Sequence, residues 1–159
     1  MKEGIDGMEG EPVENRRNFR MNRVNEEHVV VCVDDEPAIL ASLVRLLRNE
    51  PYQVLTTDRP DRVLAWVRTR DVSLVISDQR MPEMEGTQLL EEVWKRSPTT
   101  ARVILTAYPG PTSATPRLKT RIEVMISKPW DGPMLKRTIR QLLHDREWEE
   151  QSERVAEQA

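Results

Sequence analysis

One cysteine, one phenylalanine and six glycines are all that this 159-residue chain holds of those residue types. The single thiol, Cys32, cannot close a disulfide within the chain, which excludes a small disulfide-stapled scaffold and fits a reducing compartment. It sits inside the apolar run Val29–Val33 and reads as a buried structural residue. Long hydrophobic runs are also missing: none approaches the roughly 18 residues that a membrane helix needs. Excess charge of one sign is absent as well. The formal net charge is -3, so whole-chain electrostatics do not favour nucleic acid. The first 27 residues lack the apolar core of a signal peptide. They mix charges of both signs with Gly4, Gly7, Gly10 and Pro12, and bury too little apolar surface to offset their ordering entropy. They are expected to be a disordered tail. Together these absences point to a cytoplasmic protein with no membrane segment and no direct nucleic-acid contact.

What the chain does hold is five short apolar runs alternating with helical patterns. The runs are Val29–Val33, Val54–Thr57, Val72–Ser77, Arg102–Thr106 and Val124–Ser127. The first and third are nearly continuous in Val, Ile and Leu, as strands covered on both faces should be. Between them, Pro37 suits the first turn of a helix, and Leu40, Leu43, Val44 and Leu47 predict its apolar face. A second helix is expected from about Pro60, with Val63, Leu64 and Val67 inward. A third follows Gly86, with Leu89, Leu90, Val93 and Trp94. A last helix starts at Asp131, a suitable cap, and buries Leu135, Ile139, Leu142 and Leu143. The gap from Ala107 to Glu123 holds Pro109, Pro111 and Pro116. A proline in a helix interior costs roughly 3 kcal/mol, so any helix in that gap should be irregular or shortened. The alternation predicts an α/β fold, with helices on both faces of a five-stranded parallel sheet. The folded domain is expected over 28–145, followed by an acidic extension over 146–159 whose only large apolar residues are Trp148 and Val155.

In open parallel sheets, sites form beyond the carboxyl ends of the strands. Four of the five runs end in chemically capable residues: Asp34-Asp35-Glu36, Asp78, Thr106 and Lys128. Clustered carboxylates raise one another's pKa and call for a compensating charge. A hard divalent cation supplies it, and Mg2+ takes one or two carboxylates together with waters and phosphate oxygens. Lys128 adds a positive charge and Thr106 a hydroxyl donor. Such a set is suited to receiving a phosphoryl group on a carboxylate.

Four segments together resemble the response-regulator receivers of bacterial two-component systems, the stand-alone chemotaxis-regulator kind in particular. Val31-Cys32-Val33-Asp34-Asp35-Glu36 resembles their acidic opening. Ser77-Asp78-Gln79-Arg80-Met81-Pro82-Glu83-Met84-Glu85-Gly86 resembles their phosphoacceptor loop. Leu105-Thr106-Ala107-Tyr108 is similar to the switch-threonine segment, and Ser127-Lys128-Pro129-Trp130 to the lysine-proline segment. Each motif alone is weak, whereas four in this order at these separations are very specific.

The resemblance implies a doubly wound, flavodoxin-like sheet of strand order 2-1-3-4-5. It implies a phosphoacceptor at Asp78, and Mg2+ (or Mn2+) held by Asp35, Asp78 and the backbone carbonyl of Arg80, with Asp34 acting mainly through water. Thr106 and Lys128 would contact the phosphoryl oxygens. Pro129 would follow a cis peptide bond and orient the lysine, Ala107 would leave access to Asp78, and Arg80 and Tyr108 would tune how long the phosphoryl group lasts. A histidine kinase or phosphotransfer protein is the implied donor. Output would pass through an unidentified partner protein, through phosphotransfer, or through self-association as a homodimer. The chain would be no turnover enzyme; the second aspartate that marks aspartate-based phosphatases is replaced by Arg80.

Two departures stand out. Met125 occupies the place where receivers usually carry Tyr or Phe, and the proline-rich gap falls where their output helix lies. These leave open a second reading, a binding module that keeps the pocket but signals without phosphorylation.

Overall fold

The computed structural model describes residues 28–107 and 122–158. Their elements run β1 (Val29–Val33), α1 (Pro37–Leu47), β2 (Gln53–Thr57), α2 (Pro60–Thr69), β3 (Leu74–Asp78), α3 (Gly86–Arg96), β4 (Ala101–Thr106), β5 (Val124–Ser127) and α4 (Gly132–Gln158). The five strands are parallel and ordered β2-β1-β3-β4-β5, the doubly wound arrangement expected. The irregular or shortened helix expected in the proline-rich gap, the Tyr108 side chain and the N-terminal tail all lie outside the described residues.

Side chains alternate across each strand, so β1 feeds two cores at once. Val30 and Cys32 pack with Leu43 and Leu47 of α1 and Leu135 and Ile139 of α4. Val31 and Val33 pack on the other face with Val63 and Val67 of α2 and Leu89, Leu90 and Val93 of α3. This double cover is why β1 and β3 read as unbroken apolar runs. Cys32 is wholly enclosed, and burial pushes its thiol up to about 12, which leaves it inert at neutral pH.

Local chemistry sets the helix starts. Pro37 and Pro60 open α1 and α2, where the missing N–H costs nothing. Glu85 and Gln88 form a capping box at α3. The Asp131 carboxylate accepts the Met134 N–H at 2.8 Å and caps α4. One face of α1 differs from the expectation. Val44 is 40% exposed, while Ile39 and Leu46 join Leu40, Leu43 and Leu47 against the sheet. At 100° per residue, Val44 lies a full 100° from Leu43, and Ile39 and Leu46 lie closer to it. The apolar stripe of α4 ends at Leu143, and the helix continues without a break through the acidic extension to Gln158.

The sheet places the functional positions. The chain leaves β1 toward β2 on one side and returns to β3 on the other, so the loops after β1 and β3 diverge and open a crevice. Register sets what meets there. Val33 pairs with Ser77, which brings Asp34 level with Asp78. Thr106 pairs with Ser127, which puts Lys128 just beyond the end of the ladder.

Candidate functional site

Asp34, Asp35 and Asp78 converge in the crevice, each offering a carboxylate oxygen within 4.8 Å of the others. Asp34 is 1% exposed and Asp78 8% exposed, whereas Asp35 faces solvent. Lys128 reaches across from the edge strand. Its Nζ donates to Asp34 Oδ2 at 2.8 Å and to Asp78 Oδ1 at 3.1 Å. The β1 and β3 backbones finish the arrangement: the Glu36 N–H donates to Asp34 Oδ1 at 2.9 Å, and the Gln79 N–H to Asp78 Oδ1 at 2.9 Å.

The electrostatics follow from this geometry. Burial raises the pKa of Asp78, and the Asp34 charge adds to it; hydrogen bonds from Lys128 and Gln79 oppose the rise without cancelling it. Burial alone would lower Lys128, but its hydrogen bonds and charge attraction to Asp34 and Asp78 outweigh that and hold it above its ordinary value. One ammonium therefore serves several carboxylates, and the pocket is short of positive charge. Three convergent oxygen donors, one of them solvent-facing, suit Mg2+, which keeps several waters and binds through one or two carboxylates.

The remaining candidates lie on β4 and β5 and on the loops that follow β3, β4 and β5. Thr106 is buried at the end of β4, and its carbonyl accepts the Lys128 N–H at 2.8 Å. Ala107 follows it, exposed, and Arg80 is exposed beside the acidic loop. The Lys128–Pro129 bond is cis. Met125 is half-buried and packs against the α2–α3 core. A cleft of about 200 Å3 opens beside Asp35, lined by Asp58, Pro60, Met81 and Pro82 among others.

Several supporting residues escape sequence reasoning. The Ser77 hydroxyl donates to the Asp78 carbonyl at 2.8 Å. The Gln79 side chain accepts the Thr87 N–H at 3.1 Å, and its carbonyl accepts the Gly86 N–H at 2.9 Å, tying the loop to α3. Gly86 is needed for its lack of a side chain, since a Cβ there would lie 2.1 Å from the Asp78 carbonyl oxygen. The resemblance places Ser77, Gln79 and Gly86 within the phosphoacceptor loop without giving them these contacts, and nothing in the sequence marks Thr87.

Comparison with known proteins agrees with this architecture. Residues 30–140 match the family model described as the response regulator receiver domain. The chain is 34% identical over 110 residues to the transcriptional regulatory protein GlrR of Escherichia coli, covering 69% of this chain and 25% of that protein. It is 32% identical over 118 residues to the hydrogenase transcriptional regulatory protein HoxA of Cupriavidus necator, covering 74% and 24%. The chain thus spans about a quarter of the length of these curated relatives. Among solved structures, a CheY-like receiver domain protein from Methanospirillum hungatei superposes with a TM-score of 0.72 at 30% identity, covering 77% of this chain and 98% of that one. The signal receiver domain of an HD domain-containing protein from Pseudomonas fluorescens gives 0.71 at 31%, covering 75% and 96%.

Proposed function

This chain belongs to the response-regulator receiver family, and from that premise we propose that it takes a phosphoryl group onto Asp78 in a Mg2+-dependent reaction. The family is one of signalling phosphoacceptors, and its members interact with histidine kinases or phosphotransfer proteins. The observation that carries the proposal is the buried Asp34–Asp78 pair bridged by Lys128 and completed by Asp35. In the transfer, an Asp78 carboxylate oxygen forms a bond to phosphorus. The donor's P–N bond (phosphohistidine) or P–O bond (acyl phosphate) breaks, and its electron pair leaves with the donor.

Mg2+ at this site would neutralise charge on the transferring oxygens. Asp35, Asp78 and the Arg80 carbonyl would hold it, and Asp34 would act through water. Lys128 moves from the carboxylates to the phosphoryl oxygens, and Thr106 donates its hydroxyl to another of them. By the same resemblance, Arg80 and Tyr108 would tune how long the phosphoryl group lasts. The product is a signal passed by protein contact, so no substrate is turned over. The reaction belongs in the cytoplasm, where such donors work.

Incubation with acetyl phosphate and Mg2+ should add one phosphoryl group, read as a single slower band in Phos-tag electrophoresis, and excess EDTA should prevent it. Full labelling in EDTA would remove the metal from the mechanism. No labelling at all, with the metal bound, would favour the phosphorylation-independent module. Lys128→Met should lower the initial labelling rate by about a hundredfold, the usual loss when one preorganised charge donor is removed, while the final stoichiometry stays at one. An unchanged rate would show that Lys128 only neutralises Asp34.

A further inference from the structure

At the opposite ends of β1 and β3, away from the acidic crevice, the fold contains a second polar cluster. His28 precedes β1 and is 8% exposed. Its Nδ1 lies 2.9 Å from Ser73 Oγ, just before β3, and its Nε2 lies 2.6 Å from Glu147 Oε1 on α4. Ser73 Oγ also accepts the Val29 N–H at 3.2 Å. One residue earlier on α4, the buried Arg146 donates to Asp71 at 2.5 Å, and its Nε lies 3.2 Å from Glu150. A serine, a histidine and a glutamate in line resemble a hydrolytic triad. Ser73 is buried and already engaged by backbone, however, so no substrate can reach its oxygen.

We propose that this cluster is a two-point clamp which fixes residues 147–158 as a rigid helical arm. Three observations support it. First, no apolar side chain of α4 is buried beyond Leu143, and residues 151–158 are all exposed. Isolated helices of fewer than about 12–15 residues are marginal in water, so an arm of this length depends on its anchorage. Second, the anchors are mutually determined. The Glu147 carboxylate can only accept, so it holds the ring proton on Nε2; in the neutral ring Ser73 then donates its hydroxyl to Nδ1 while accepting the Val29 N–H. His28 and Ser73 keep these partners only when the arm is docked, and a buried polar group left without its partner carries the full desolvation penalty. Third, the clamp grips the ends of the same two strands, β1 and β3, whose other ends carry Asp34, Asp35 and Asp78.

Hydrogen exchange on the full chain tests the clamp. Glu147→Ala removes the ring's acceptor from the helix surface, and amides of residues 147–158 should then exchange about tenfold faster or more. Those of β3 and α3 should be unchanged. Glu147→Gln, which keeps an acceptor oxygen, should retain most of the protection. His28→Ala should reproduce the Glu147→Ala pattern; if it unfolds the domain instead, the two Glu147 variants decide. Equal exchange of the arm in wild type and Glu147→Ala would overturn the proposal, as would acceleration spread evenly over the whole domain.

Discussion

Replacing Asp78 by Asn is expected to abolish phosphoryl uptake completely. The amide keeps the size of the carboxylate and an oxygen acceptor for the Lys128 ammonium and the Gln79 N–H, so the loop should hold its shape. What it loses is the nucleophilic oxygen. Intact-mass spectrometry after acetyl phosphate treatment should show one added group on wild type and none on the variant; equal labelling would sink the assignment. The same substitution should make the metal-free protein more stable at neutral pH. The Asp78 pKa is raised, first by burial and then by Asp34, so the folded state holds that proton more tightly than the unfolded chain does. The ionised form therefore costs stability as pH rises through the folded value, and the cost vanishes below the ordinary carboxylate value, where both states are protonated. Melting curves of the two proteins in EDTA should separate at pH 7, with Asp78→Asn higher, and converge as pH falls. Mg2+ should close the gap from the other side by stabilising wild type through linkage.

Gly86→Ala should be the most damaging single methyl group in the domain. The added Cβ would stand 2.1 Å from the Asp78 carbonyl oxygen and 2.9 Å from Ile104 Cδ1. Ile104 can rotate, but the carbonyl belongs to the last residue of a buried strand and cannot. Relief requires α3 to lift from β3, breaking the Gly86 N–H bond to the Gln79 carbonyl and loosening Leu89 and Leu90. Overpacking of this kind costs about 3 kcal/mol, or roughly 12 °C in Tm for a domain of this size. Because the displaced carbonyl belongs to the phosphoacceptor, labelling should slow as well. An unchanged Tm would mean that the helix start adjusts more easily than this packing suggests.

The fold and the acidic pocket were largely legible in the sequence because both depend on local patterns. Runs of four to six apolar residues alternating with helical spacings dictate a parallel sheet, and a parallel sheet places its site at the strand ends. Asp34, Asp35 and Asp78 each follow a run that ends at the same edge of the sheet, so the acidic cluster was expected from the strand pattern. The apolar face of α1 was read correctly at Leu40, Leu43 and Leu47 and wrongly at Val44, since a short helix permits several apolar arcs and only the partner surface selects among them. Val44 lost that choice to Ile39 and Leu46.

Tertiary structure alone decided the contacts whose partners lie far apart in the chain and carry no shared pattern. Lys128 bridges Asp34 and Asp78 across 94 and 50 residues, and only the crossing of two strands by its flexible stem shows that one ammonium serves both carboxylates. Nothing near His28 in sequence points to Glu147, 119 residues away. Gly86 looked like an ordinary helix start until the Asp78 carbonyl was found where its side chain would be. The physical reason is common to all three. Hydrophobic periodicity encodes which face of an element is buried, a property of neighbours in the chain. Hydrogen bonds, ion pairs and steric limits are fixed at the scale of single atoms by elements that meet only after folding.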